Sequence, residues 1–181
     1  MSELFSIQLQ NRQQQGRDGV WLDLPTTTEQ VQAALRQIGI SSDNPQGLFI
    51  SGYFAEEEKR FAIPYNMVLA SNVDELNFLA SRLETLSTGE RAELNAALQA
   101  PQSELFSIGR ITDFPENVDY YVHLPDVCGP AQLGDYYLNR SGMVDMPEEW
   151  KGGIDTAQFG RYVAQQEQGV FTQYGYLVKS G

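Results

Sequence analysis

The chain has 181 residues, of which 41% are hydrophobic and 11% aromatic, a composition that supports a folded core and excludes a disordered protein. Its formal net charge of -12 argues against a nucleic acid as direct ligand, because such binding requires lysine and arginine to neutralise phosphates. It has no apolar run near the ~20 residues of a membrane span, no secretory signal and a single cysteine, so we expect a cytoplasmic protein that does not bind membranes.

The first third of the sequence begins with two predicted strands. Phe5, Ile7 and Leu9 alternate with polar residues, which is the period of a half-buried strand. A polar, glycine-containing connection at residues 11–19 predicts a hairpin, and the second strand follows at residues 20–24.

A helix and a third strand complete this segment. Thr26 and Glu29 have the spacing of a capping box, and Gly39 is a typical helix C-cap. Residues 48–54 predict the third strand. The apolar face of the helix consists of Val31, Ala34, Leu35 and Ile38.

Residues 66–100 change to helical periodicity. Ser87 and Glu90 form a second capping-box pattern, and the helix that they open ends before Pro101. Two amphipathic helices in succession predict a helical hairpin. Their apolar positions are Val73, Leu76, Leu79, Ala80, Leu83 and Leu86 in the first helix, and Leu94, Ala97 and Leu98 in the second.

The last third returns to mixed structure. We predict a strand at residues 118–124, a helix at 131–141, a helix at 155–166 and one long strand at 169–179. The whole pattern is that of an α+β protein. The changes in periodicity divide it into three small subdomains, at residues 1–66, 67–102 and 103–181.

Patterns of catalytic chemistry are missing from the sequence. His123 is the single histidine, and a structural role at the end of a strand explains it better than general-base catalysis. Cys128 lies in a predicted turn, and one histidine with one cysteine does not make a metal site. No nucleotide-binding motif or nucleophile elbow is present. We therefore predict no catalytic residue, cofactor or metal; a small-molecule hydrolase using His123 is a distant alternative.

Acidic residues are concentrated in the C-terminal half. The segment 113–155 contains nine acids against Arg140 and Lys151, a net charge of -7. Taken singly, each acid is explained as a solvated carboxylate, and Asp155 also as a helix N-cap. As a set they indicate an acidic surface for binding a basic partner.

Several short segments, in the same order and with similar spacing, resemble the ArdA-type antirestriction proteins of conjugative plasmids and transposons. The resemblance covers most of the chain. Its segments are GVWLDLP at residues 19–25, DELN at 74–77, DYY at 135–137 followed by Gly142, DTAQFGR at 155–161 and GVF at 169–171.

The resemblance implies an elongated three-domain homodimer, joined through its C-terminal domains, that does not catalyse a reaction. Its carboxylates would imitate DNA phosphates and occupy the DNA groove of the methyltransferase core of type I restriction–modification enzymes. The candidate phosphate substitutes are Asp113, Glu116, Asp119, Asp126, Asp135, Asp145, Glu148, Glu149 and Asp155.

The sequence also departs from the family pattern. Residues 127–132 contain no acid, whereas family members that mimic DNA well are more acidic just before the Tyr-Tyr helix. The alternative function is therefore an acidic scaffold or regulatory protein of a mobile element that keeps the fold without mimicry. Self-association is expected because tyrosine is enriched at interfaces, although the same side chains suit a core: Tyr120, Tyr121, Tyr136, Tyr137, Tyr174 and Tyr176.

Overall fold

The structure, a computed structural model, describes residues 3–14, 16, 18–41, 43–101 and 103–179. The strands in these residues are β1 (Phe5–Asn11), β2 (Val20–Leu24), β3 (Leu48–Phe54), β4 (Tyr121–Leu124), β5 (Val170–Thr172) and β6 (Gly175–Lys179). The α-helices are α1 (Thr28–Gln37), α2 (Tyr65–Leu69), α3 (Val73–Leu83), α4 (Thr88–Gln99), α5 (Ile108–Thr112), α6 (Pro130–Asp135), α7 (Glu148–Lys151) and α8 (Thr156–Glu167), and a π-helical turn at Tyr136–Arg140 continues α6. Two antiparallel sheets mixed with helices confirm the α+β prediction.

Contacts divide the chain into two compact units, which are described separately. The first unit comprises residues 1–86 and 105–115, and the second comprises residues 87–104 and 116–181. Consequently α3 belongs to the first unit and α4 to the second. The three predicted subdomains, with boundaries at residues 66 and 102, stay a prediction.

The first unit contains a sheet in the order β2-β1-β3. Phe5, Ile7 and Leu9 of β1 are buried, which confirms the predicted alternation. The hairpin between β1 and β2 is also confirmed, although Gln15 and Arg17 of its connection lie outside the described residues. Burial of each of the side chains of Phe5, Ile7 and Leu9 contributes about 1.5–3 kcal/mol to the stability of the fold.

The capping box predicted at the start of α1 is wrong by one residue. Thr27 is the N-cap, and its side-chain oxygen accepts a hydrogen bond from the backbone N–H of Gln30 at 3.3 Å. The backbone of Thr26 instead makes two hydrogen bonds with the side-chain amide of Asn77, at 2.8 and 3.0 Å. Thr26 therefore pairs with Asn77, 51 residues away along the chain, and does not act as the predicted N-cap of α1.

The second unit contains a sheet in the order β4-β6-β5 and a close pair of helices, α6 and α8. A Cβ atom at Gly134 would overlap the carbonyl oxygen of Thr156, and one at Gly160 would overlap that of Pro130. The two glycines therefore allow the helix backbones to touch. The core beside them is formed by Val127, Leu133, Ala164 and Tyr176.

The long strand predicted at residues 169–179 is a hairpin of two short strands. The Thr172 hydroxyl accepts a hydrogen bond from the Tyr174 N–H at 3.1 Å and donates one to the Gly175 carbonyl at 2.8 Å. Gly175 has a φ of +121°, a conformation that side-chain-bearing residues rarely adopt. Hydrophobic residues occur on both sides of the turn, so periodicity alone does not reveal that the chain reverses its direction there.

Candidate functional site

All nine acids predicted as phosphate substitutes have exposed side chains. Asp113 follows α5 in the first unit, and the other eight belong to the second. The second unit has 12 acidic and 5 basic residues, so its net charge is -7. The accessible negative charge that a basic partner requires is therefore present in this unit.

The segment around α7 carries the densest group of these acids. Asp145 precedes the helix, and Glu148 and Glu149 form its first turn, where the helix dipole favours negative charge. Trp150 follows them with 67% of its surface exposed. Three carboxylates and an indole are thus presented to solvent within six residues.

Two further acids lie next in sequence to the contact between α6 and α8. Asp135 directly follows Gly134, and Asp155 directly precedes Thr156, whose backbone touches that glycine. Asp155 is also the N-cap of α8, accepting hydrogen bonds from two backbone N–H groups at 3.0 and 3.2 Å. This confirms the N-cap interpretation of Asp155, and the carboxylate remains exposed.

Basic side chains lie beside Asp135 and Glu148. Arg140 Nε is 3.8 Å from Asp135, and Lys151 Nζ is 3.0 Å from Glu148. The Arg140–Asp135 pair is exposed on both sides and contributes at most about 1 kcal/mol, so an incoming cation can compete with it. Within the described residues, Asp126, Asp145 and Glu149 have no hydrogen bond or ion pair from a side chain.

Glu93 in α4 is an acidic residue of the second unit that the sequence did not predict to matter. It is only 9% exposed, although it carries a carboxyl group. Burial, together with the neighbouring carboxylates of Glu90 and Asp119, raises its pKa to about 7. The available signal was its spacing, since Glu93 lies four residues before Ala97 on the predicted buried face.

The side chains considered for catalysis have ordinary structural environments. His123 Nε2 donates a hydrogen bond to the Tyr174 carbonyl at 2.8 Å and so connects β4 with the β5–β6 turn. Cys128 is an exposed free thiol. Among the described residues, no group of three or more His, Cys, Asp or Glu side chains is placed to hold a metal ion. None of the helices described is long and apolar enough to cross a bilayer.

The tyrosines expected at an interface divide between the core and the surface. Tyr176 is fully buried, and its hydroxyl and that of Tyr137 donate to the Glu167 carboxylate at 2.6 and 2.5 Å. Burial and these hydrogen bonds raise the pKa of both phenols above its ordinary value. Tyr120 is exposed, and so is Tyr162 of α8, which was not considered.

Residues directly next to segments that carry the family resemblance make contacts with other such segments within each unit. Residue 77, in the DELN segment, makes hydrogen bonds to Thr26, directly after the GVWLDLP segment. Gly134, directly before the DYY segment, touches Thr156 of the DTAQFGR segment. These contacts give a structural reason for the separate motifs to occur together in one chain.

Comparison with known proteins gives one family. The family model described as Antirestriction protein (ArdA) matches residues 15–178. The comparison with curated proteins found no match. The family model spans nearly the whole sequence, including every segment on which the resemblance rests. The chain therefore belongs to the ArdA family of antirestriction proteins.

Proposed function

We propose that the chain inhibits type I restriction–modification enzymes by presenting its exposed carboxylates where the enzyme binds DNA phosphates. The observation that carries this proposal is the exposure of all eight predicted acids of the second unit, in a unit of net charge -7. A groove built to attract phosphate attracts carboxylates through the same electrostatic complementarity. The activity requires no catalysis, and it belongs in the cytoplasm, where incoming DNA meets the restriction enzyme.

We also propose that the chain acts as a homodimer joined through its second unit. This unit exposes several large apolar side chains, which are typical of interface centres: Tyr120, Val122, Met143, Trp150 and Tyr162. Two copies carry a net charge of -24, which corresponds to the charge on about 40 Å, or roughly 12 base pairs, of duplex. That charge is sufficient for the dimer to imitate a short duplex.

The direct test is competition for the methyltransferase core. A fluorescent duplex containing the recognition sequence is bound to the purified enzyme, and the full chain is titrated in at 50 and 200 mM salt. Because the attraction is electrostatic, the apparent Kd of the chain should weaken several-fold between these salt concentrations. Binding that leaves the duplex in place, or displacement that ignores salt, would contradict mimicry.

A second candidate is an acidic scaffold or regulatory protein of a mobile element. The ion pairs on Asp135 and Glu148 favour it, because they neutralise part of the charge that mimicry needs. The same experiment separates the two functions. A scaffold should neither displace the duplex nor lower methyltransferase activity at micromolar concentration.

A further inference from the structure

The three-stranded sheet of the first unit buries one face and leaves the other open to solvent. In β2, Leu22 and Leu24 are buried, whereas Trp21 and Asp23, which alternate with them, are exposed. Successive side chains of a strand point to opposite faces, so Trp21 and Asp23 belong to the open face. Trp21 has 50% of its surface accessible, although tryptophan is highly buried on average.

The indole of Trp21 lies along this open face. Gln8 of β1 is paired with Trp21 on one side and with Gly52 of β3 on the other, so the three residues form one row across the sheet. A Cβ atom at Gly52 would come 3.0 Å from the far edge of the Trp21 ring. The ring therefore reaches across β1 to β3, and Gly52 leaves room for it. The other side of the ring is open to solvent.

The next row of the sheet adds a second ring and negative charge. Ser6 is paired with Asp23 on one side and with Phe54 on the other, and Phe54 is 56% exposed. The Ser6 hydroxyl donates a hydrogen bond to the Asp23 carboxylate at 2.5 Å. A hydrogen bond to Asp23 and the charge of that carboxylate raise the pKa of Glu3, an effect that Lys59 partly offsets. The open face thus combines exposed aromatic rings with carboxylates at one end.

Aromatic rings next to carboxylates fit a guanidinium group. This group is planar, stacks on aromatic rings and binds carboxylates through paired N–H donors. The chain makes such stacked contacts itself, since Arg12 lies over the Phe49 ring at 4.9 Å and Arg110 over the Phe106 ring at 4.5 Å. In the part of the chain that the structure describes, no cation is stacked on Trp21. Its ring is therefore accessible to an arginine of another molecule.

The net charge of the first unit favours a basic protein over a nucleic acid as the partner. The unit has 12 acidic and 7 basic residues, so its net charge is -5. Nucleic-acid bases also stack on tryptophan, but their phosphates would be repelled by this charge and by the carboxylates of Asp23 and Glu3. An arginine side chain is attracted by the ring and by the carboxylates.

We propose that the open sheet face formed by Trp21, Asp23 and Phe54 binds an arginine-containing segment of a partner protein. Trp21 and Asp23 are two residues apart on one strand, a separation of roughly 7 Å, so one arginine can stack on the indole and donate to the carboxylate. The proposal rests on this face of the first unit. It does not depend on inhibition of a restriction enzyme or on a dimer joined through the second unit.

The test titrates the ¹⁵N-labelled full chain with the amidated peptide Gly-Arg-Gly-Arg-Gly and with its citrulline counterpart. The chain has two tryptophans, so the indole N–H signal of Trp150 provides an internal comparison for that of Trp21. The Trp21 signal should shift saturably with the arginine peptide, and with higher affinity than the Trp150 signal. Citrulline keeps the planar shape but lacks the charge, so its peptide should bind Trp21 about ten-fold more weakly or worse.

Variants of the face, measured by fluorescence anisotropy of a labelled arginine peptide, locate the binding. Trp21→Ser should weaken binding about ten-fold or more, and Asp23→Asn about three-fold with a smaller dependence on salt. Phe78→Ser is the matched control and should bind as wild type does, because it removes a ring of the same unit that is 59% exposed and lies on α3.

Several outcomes would overturn the proposal. Equal affinities at the two indole signals would mean general attraction to an acidic protein, and equal binding of the citrulline peptide would exclude a charged ligand. Tighter binding of oligothymidylate at Trp21 would assign the face to nucleic-acid bases, and a shift of Trp21 with protein concentration alone would assign it to a second copy of the chain. The proposal also fails if Trp21→Ser binds as wild type does. Should Trp21→Ser fail to fold, Asp23→Asn must weaken binding about three-fold or more for the proposal to stand.

Discussion

Replacing Glu93 by glutamine should stabilise the protein at neutral pH and have little effect in acid. The pKa of this carboxyl is raised from 4.5 to about 7 by burial and by Glu90 and Asp119. Between these values the folded chain binds more protons than the unfolded chain, so its stability falls as pH rises. Glutamine has a similar shape and does not ionise, so the variant lacks this loss.

The size of the effect follows from the pKa difference. Linkage gives an upper limit of about 3 kcal/mol at pH 7.5 and about 1 kcal/mol at pH 5 for a carboxyl with these pKa values. Glu93 lines a pocket that is open to water, which screens the interaction, so we expect roughly half of that. The stability gained by Glu93→Gln should grow by about 1–1.5 kcal/mol between pH 5 and pH 7.5.

The assay is urea denaturation followed by circular dichroism at pH 5, 6 and 7.5, at one protein concentration so that self-association does not vary. Glu84→Gln is the matched control because it removes an exposed acid, and its stability difference should stay constant within about 0.5 kcal/mol. A difference for Glu93→Gln that is flat with pH, or that shrinks as pH rises, would refute the reasoning.

Three further predictions concern the scaffold of the second unit. Gly134→Ala should destabilise the protein by about 1–3 kcal/mol in urea denaturation, because the added methyl group meets the Thr156 carbonyl, whereas Gly152→Ala, which has open space, should be nearly neutral. Ser87→Ala should cost about 1 kcal/mol by removing the side-chain half of the capping box of α4, and Ser87→Thr should recover most of it. Trp150→Ser should weaken the proposed dimer at least ten-fold by light scattering, while Trp21→Ser in the first unit should not; equal masses for all three proteins would contradict the interface.

Local signals in the sequence predicted the elements whose determinants are neighbours in the chain. The alternation of Phe5, Ile7 and Leu9 identified β1, and the Ser87–Glu90 spacing identified a capping box with both hydrogen bonds present. Asp155 was recognised as an N-cap for the same reason. In each case the interaction lies within a few residues, where periodicity and capping rules apply.

Features determined by distant contacts were not predicted. The N-cap of α1 moved to Thr27 because the backbone of Thr26 pairs with Asn77, and no local pattern reports that partner. Residues 93–97 are all buried, so α4 is covered on more than the one face that its leucines indicate. The burial of Glu93 follows from that covering.

The predicted acids were recognised by charge alone, and their environments required the structure. Sequence does not show that the residues next to Asp135 and Asp155, Gly134 and Thr156, touch each other. Nor does it show that Lys151 is largely buried beside Glu148, with only 14% of its side chain exposed. The sequence does not distinguish a carboxylate that is paired with a lysine from one that has no partner. The two are not equivalent as phosphate substitutes, because the lysine neutralises part of the charge of the first.

The central claim is that particular exposed carboxylates take the place of phosphates, and two matched triple variants test it most directly. One is Asp126→Asn, Asp145→Asn and Glu149→Gln in the second unit; the other is Asp43→Asn, Glu58→Gln and Glu84→Gln in the first. Both remove three negative charges, and the measurement is the inhibition constant against the type I methyltransferase core. The account predicts that the first variant inhibits about ten- to hundred-fold more weakly than the second. Equal inhibition constants would contradict it, because net charge alone would then explain binding.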